Sequence, residues 1–181
     1  MEGVERLRLF LALPLPERVV ERLVAWQRGA LAGAHDARLV PPANLHVTLA
    51  FLGHRPAGEV GVIAAEMRAA AAAAAIRPLL RASRYRETRS VGMVVLDDEG
   101  GRATALANDI AGRLEQVGVY EPERRPWLPH VTVLRFRRPP RLRPEPPDVG
   151  ELSPSEVALY TSVLRRPGAQ YEISESVPLG G

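Results

Sequence analysis

The sequence predicts two similar α/β lobes that share a groove, and three observations carry that reading. Apolar runs rich in β-branched residues alternate along the chain with stretches of helical periodicity. Two short runs, "NLHVTLAFLG" from Asn44 and "LPHVTVLRF" from Leu128, repeat one pattern of histidine, apolar residue, threonine, apolar residue. Nearly half the chain separates them, and each follows a helical stretch and a proline-containing loop.

The elements follow in order. "RLRLFLALPLP" reads as a first strand ended by Pro14 and Pro16. "PERVVERLVAWQRGAL" has apolar residues at helical spacing with Pro16 at its start, where a missing N–H costs nothing. A proline-bounded loop leads to the first histidine strand, residues 45–52. "GEVGVIAAEMRAAAAAAAIR" is a second helix with its stop at Pro78. The second half repeats this order loosely. "SVGMVVLDD" has strong strand propensity, and "GRATALANDIAGRLEQVGV" is a third helix. A loop rich in proline and arginine precedes the second histidine strand, residues 130–136. "RRPPRLRPEPPDVG" reads as an extended, mobile loop, and "EVALYTSVL" and "YEISESVPL" as closing strands joined by a turn at Pro167-Gly168.

Composition narrows the chemistry. With 181 residues, the chain is one domain or two small lobes on a shared core. Apolar runs are too short to span a bilayer, and Glu2 and Glu5 together with the absence of a small-residue cleavage site argue against a signal peptide, so a cytoplasmic protein without a membrane partner is expected. Cysteine is absent, which removes thiol nucleophiles, disulfides and most structural zinc sites. Lysine is absent as well. Schiff-base chemistry and a P-loop lysine are therefore excluded, and any anion site must use guanidinium, hydroxyl or backbone N–H groups. Arginines cluster in residues 77–89, 124–143 and 165–166, either as solvated loops or as a basic rim for polyanions such as RNA.

Strand alternation puts His46 and Thr48 on one face, Val47 and Leu49 on the other. His130 and Thr132 separate from Val131 and Val133 in the same way. Histidine gives or takes a proton near neutral pH, and threonine donates to an anionic oxygen without adding charge. Two such strands facing one another would flank a small anion with two imidazoles and grip its other oxygens with two hydroxyls. Phosphate-ester hydrolysis needs that arrangement, because one group must deprotonate water while another protonates the leaving alkoxide. One histidine–threonine pair in a chain is an accident of composition; two among four histidines is a pattern. His35 and His54 lack it and receive no catalytic role. Neither motif has a carboxylate at ligand spacing, so no metal and no cofactor are expected.

These residues resemble the paired H-x-T-x signatures of the two-histidine phosphoesterase superfamily. Together with the opening "RLFLALPLP", they look like its RNA 2′,3′-cyclic phosphodiesterase branch, the LigT-like proteins also called RNA 2′,5′-ligases. The resemblance runs from about Arg8 to the closing strands. It implies an α+β fold of two lobes, with two pseudo-symmetric antiparallel sheets and outer helices around a central groove. It further implies hydrolysis of a 2′,3′-cyclic phosphate on RNA ends or nucleotides to a 2′-phosphate, by a monomer. Carried over by position, His46 is the proton donor, His130 the acceptor, and Thr48 and Thr132 hold the phosphate. Arg135, at the position where similar proteins also carry arginine, is the candidate for neutralising developing charge. Its parity is opposite to that of His130, so a bulge or twist must turn it toward the phosphate. Phe10 and Trp127 are candidates for stacking on a base, against an equally good reading as core residues. The same groups would serve the reverse, 2′,5′-joining reaction. A module that only binds nucleotides would have no need of a matched acid and base.

Overall fold

A computed structural model describes residues 3–166 and 168–180. Eight strands and three helices run in the order β1 (Arg6–Pro14), α1 (Glu17–Ala30), β2 (Ala37–Leu39), β3 (His46–Pro56), α2 (Val60–Ala73), β4 (Leu80–Glu87), β5 (Val91–Asp98), α3 (Arg102–Gln116), β6 (His130–Phe136), β7 (Glu156–Arg165) and β8 (Gly168–Pro178). Every strand pairing is antiparallel. The order across the sheet is β4-β5-β6-β3-β1-β7-β8, with β2 also on β6. The two expected sheets are thus two four-stranded halves of one sheet. Their seam is narrow: β3 and β6 meet through the single pair Val47–Val131.

The lobes are not the two halves of the chain. β1 lies between β3 and β7, so the last two strands complete the lobe that the first strand begins. Leu9, Leu11 and Leu13 of β1 point to one face, where they meet Val19 and Leu23 of α1, Ile63 and Met67 of α2, and Leu106 and Ile110 of α3 in the main core. Phe10 and Ala12 point to the opposite face and form a small second cluster with Ala158 and Tyr160. Helices cover the first face; the second is left for the cleft.

Local chemistry sets most of the boundaries. α1 starts after Pro16, with Glu17 in its first turn and Arg28 in its last, both favourable to the helix dipole. α3 has a firmer start. The Asp98 carboxylate accepts from the N–H groups of Ala103 and Thr104 at 3.0 and 2.8 Å, and Gly100 and Gly101, both at positive φ, make the turn into it. α2 ends at Ala73, short of the expected stop at Pro78, because Leu80 is already paired with Asp98 and bridged to Leu152.

Three expectations change. The first basic cluster is not loop: residues 80–87 form the edge strand β4, whose charged side chains alternate toward solvent. The proline-rich segment after β6 has no regular structure, but it is held down rather than loose. Glu87 accepts from the N–H groups of Arg141 and Leu142, Trp26 donates to the Glu145 carbonyl, and Arg18 donates to those of Val149 and Glu151. Of the expected Pro167-Gly168 turn, Pro167 lies outside the described residues and Gly168 already opens β8. No helix among the described residues is long and apolar enough to cross a membrane.

Candidate active site

The antiparallel register around Val47–Val131 sets His46 opposite Thr132 and His130 opposite Thr48. In such a ladder the two histidines are diagonal neighbours about 7–8 Å apart, with their Cβ atoms somewhat closer. That leaves room for one phosphoryl group between the rings. His46, Thr48, His130 and Thr132 all line a single cleft of about 850 Å³, and they are all half-buried there.

Each ring is held by the same device. His46 Nδ1 lies 2.8 Å from the carbonyl of Asn44, and His130 Nδ1 lies 2.8 Å from the carbonyl of Leu128. A carbonyl only accepts, so Nδ1 carries the hydrogen in both and Nε2 is the working nitrogen. The threonines differ in the empty cleft. Thr48 Oγ1 sits 2.9 Å from His46 Nε2, to which it donates when the ring is neutral. Among the described residues Thr132 Oγ1 has no hydrogen-bond partner.

Further along, the two strands obey one rule. In β3, Leu49 is an extra residue between the pairs Thr48–Ala12 and Ala50–Leu11. In β6, Val133 is an extra residue between the pairs Thr132–Met93 and Leu134–Gly92. Each bulge sits three residues after its histidine and reverses the parity beyond it. Phe51 and Arg135, five residues after their histidines, consequently line the cleft instead of facing the core. The bulge required for Arg135 is present, and its twin brings in Phe51, which parity alone had hidden. The repeat of the fifth-residue position after each histidine was the signal for it.

The β6 bulge is buttressed from behind. Its Val133 carbonyl accepts from Val40 N–H at 3.0 Å and from Gln27 Nε2 at 2.8 Å. Gln27, on the buried face of α1, also donates to the Val40 carbonyl and is 2% exposed.

His46 rests in an aromatic nest. Phe10 is stacked on it at 5.0 Å between centroids, Tyr171 meets it edge-on at 5.5 Å, and Tyr160 stacks on Phe10 at 4.8 Å. Burial pushes the imidazole down to about 4, against the Asn44 carbonyl, which favours its charged form; Coulombic interaction with His130 and Arg135 adds to the depression. His46 is therefore neutral in the empty cleft at neutral pH. Phe10 lines the cleft but is only 3% exposed, packed against His46 and Tyr160. Trp127 does not line it. Its indole N–H donates to the Thr48 carbonyl at 3.1 Å, which secures the segment before β6 onto β3. The exposed aromatic ring of the cleft is Phe51, 47% exposed with the Arg8 guanidinium over its face.

Comparison with known proteins points to one family. The model of a family described as LigT like Phosphoesterase matches residues 13–90. A Thermus thermophilus protein named RNA 2′,3′-cyclic phosphodiesterase is 34% identical, over 97% of this chain and 91% of its own length. An Escherichia coli protein of the same name is 28% identical, over 91% of this chain and 92% of its own. The crystal structure of E. coli LigT complexed with 3′-AMP superimposes with a TM-score of 0.83 over 98% of this chain and 100% of the other; at 23% identity that likeness bears on the fold.

Proposed function

The chain belongs to the LigT-like phosphoesterase family, and on that premise we propose that it hydrolyses the 2′,3′-cyclic phosphate of an RNA end or nucleotide to a 2′-phosphate. The observation that carries this reading is the antiparallel pairing of two histidine–threonine strands, which brings two imidazoles and two hydroxyls to the lining of one cleft.

The reaction is an in-line displacement at phosphorus. His130 Nε2 takes a proton from water as its oxygen bonds to phosphorus. The bond from phosphorus to the 3′-oxygen breaks, and His46 Nε2 delivers the proton that this oxygen needs. Thr48 and Thr132 donate to the non-reacting oxygens, and Arg135 offsets the charge that builds on them. Both histidines change protonation state in one turnover, and solvent restores them. The family resemblance supplies the direction, since the local chemistry is symmetric.

His46 begins neutral, so the donor role requires that substrate charge it. A phosphate anion about 4 Å away, at an effective dielectric constant of about 20, is worth about 4 kcal/mol, or about 3 pH units. That is enough to carry the imidazole from about 4 to near neutrality. Binding and proton uptake by His46 are then one event. Once the anion has entered, Thr48 is free to turn its hydroxyl from His46 toward the phosphate.

The proposed steps are carried by side chains alone, which predicts independence of added metal. Activity should survive dialysis against EDTA; loss that returns with zinc or manganese would overturn that part. Phosphorus NMR of the product from a 2′,3′-cyclic nucleotide tests the rest. A 2′-phosphate is expected, a 3′-phosphate would exchange the histidine roles, and no product would sink the reading.

A further inference from the structure

The cleft continues past the histidine pair. Beyond Phe51 it opens into a second recess of about 270 Å³, which includes Arg6, His54 and Ser162, and Arg8 and Leu164 line both spaces. Strand alternation explains the continuity. Arg6, Arg8 and Phe10 share the open face of β1, at intervals of about 6.6 Å. They lead in a line away from the His46–Phe10 stack.

Arg8 is half-buried and already aimed. Its Nη1 donates to Ser162 Oγ at 3.0 Å, and its guanidinium carbon lies 4.8 Å from the centre of the Phe51 ring. Arg6 donates through Nη2 to the His54 carbonyl at 2.7 Å. Among the described residues neither arginine pairs with a carboxylate, whereas Arg55, Arg68, Arg81 and Arg113 all do. The half-buried Arg8 guanidinium, oriented by a neutral hydroxyl and stacked on Phe51, is placed to accept an anion, and the exposed Arg6 stands next to it along the strand. Phe51 and Leu164, 47% and 73% exposed, flank it with apolar surface. Cations in a row beside exposed aromatic and apolar side chains are what a single nucleic-acid strand binds, phosphates to the charges and bases to the flat faces.

We propose that the single-stranded RNA preceding the cyclic phosphate runs along β1, its backbone phosphates on Arg8 and then Arg6, its bases against Phe51 and Leu164. The proposal rests on the phosphodiesterase reading and names the side chains that hold the RNA ahead of the cyclic phosphate, so that an end of several nucleotides is favoured over a cyclic mononucleotide. The spacing of the two arginines is comparable with that of successive phosphates along one strand, so they take adjacent linkages.

Two measurements test it. Fluorescence anisotropy follows binding of a labelled single-stranded RNA tetramer ending in a 2′-phosphate, over a series of salt concentrations. Arg8→Gln should weaken binding about tenfold and lower the salt slope by about one. Arg8→Lys, which keeps the charge, should retain most of the affinity. The second measurement compares kcat/KM on a cyclic-ended tetramer and on a cyclic mononucleotide. Arg6→Gln should lower the first and leave the second within about twofold. Unchanged tetramer binding in Arg8→Gln, or equal losses on both substrates in Arg6→Gln, would overturn the proposal. Wild-type protein that binds the tetramer through Arg8 but turns over neither substrate would uphold the track and sink the phosphodiesterase reading instead.

Discussion

The imidazole of His46 has two partners and two states. Empty, it accepts from Thr48 and stays neutral; filled, the proposed reaction has it carry a proton for the leaving oxygen. Replacing His46 or His130 by alanine should each lower turnover at least about a hundredfold, and the double variant should be little worse, because the pair works as a unit. Near-normal turnover by either folded single variant would end the two-histidine mechanism. The acid–base pair also predicts a bell-shaped kcat/KM against pH whose limbs belong to the pair. His46 has a consequence for stability too. An unfolded chain protonates this imidazole near 6.5 and the folded one resists until about 4, so the contribution is present above 6.5 and lost as pH falls between those values. The depth is about 3 kcal/mol by the usual conversion. Urea unfolding of wild type against His46→Gln should show the two stability curves converging as pH falls from neutral to 4. Parallel curves would mean the ring is not held neutral.

Among the elements, the two bulges matter more than the helices. Each lets a strand present a histidine and threonine in one parity and an arginine or phenylalanine in the other, without a break in the ladder. Gln27 of α1 stands behind one of them. Gln27→Leu would leave the Val40 carbonyl with no side-chain donor and the Val133 carbonyl with one donor fewer, at a cost of about 1–3 kcal/mol. Because Val133 turns Arg135 outward, this variant should also bind phosphate more weakly than a variant of equal stability on the same helix face, such as Val19→Ala. Equal phosphate affinity in both would reduce Gln27 to a packing role. Asp98→Ala removes the cap of α3 and should lower stability by about 1 kcal/mol in thermal melts, with turnover unaffected.

At the level of the molecule, the cleft exists because β3 and β6 meet at one residue pair while each is fully paired on its outer side. β1 takes its neighbours from both ends of the chain, so a fragment that ends before β7 should fail to show cooperative unfolding by circular dichroism. A fragment that folds alone would mean the first half is an independent unit. From the sequence alone came the identities and shared face of His46, Thr48, His130 and Thr132, and most of the strands and helices. Side-chain chemistry and a period of two are local properties, and they survive any arrangement of the chain. Strand β4 was not legible, since charged alternation on a sheet edge looks like a solvated loop. Arg135 could be named but not aimed, and Phe51 was missed although it repeats the fifth-residue position, because a bulge depends on what the partner strand offers. Trp127 went to the base in one reading and to the core in the other; it packs against the main core and donates to the Thr48 carbonyl, outside the lining of the cleft. The placement of Arg6 and Arg8 beside the cleft was hidden for the same reason. Whether a charge on a strand faces a carboxylate, water or an open cleft is set by neighbours distant in the chain, and only the folded structure brings those neighbours together.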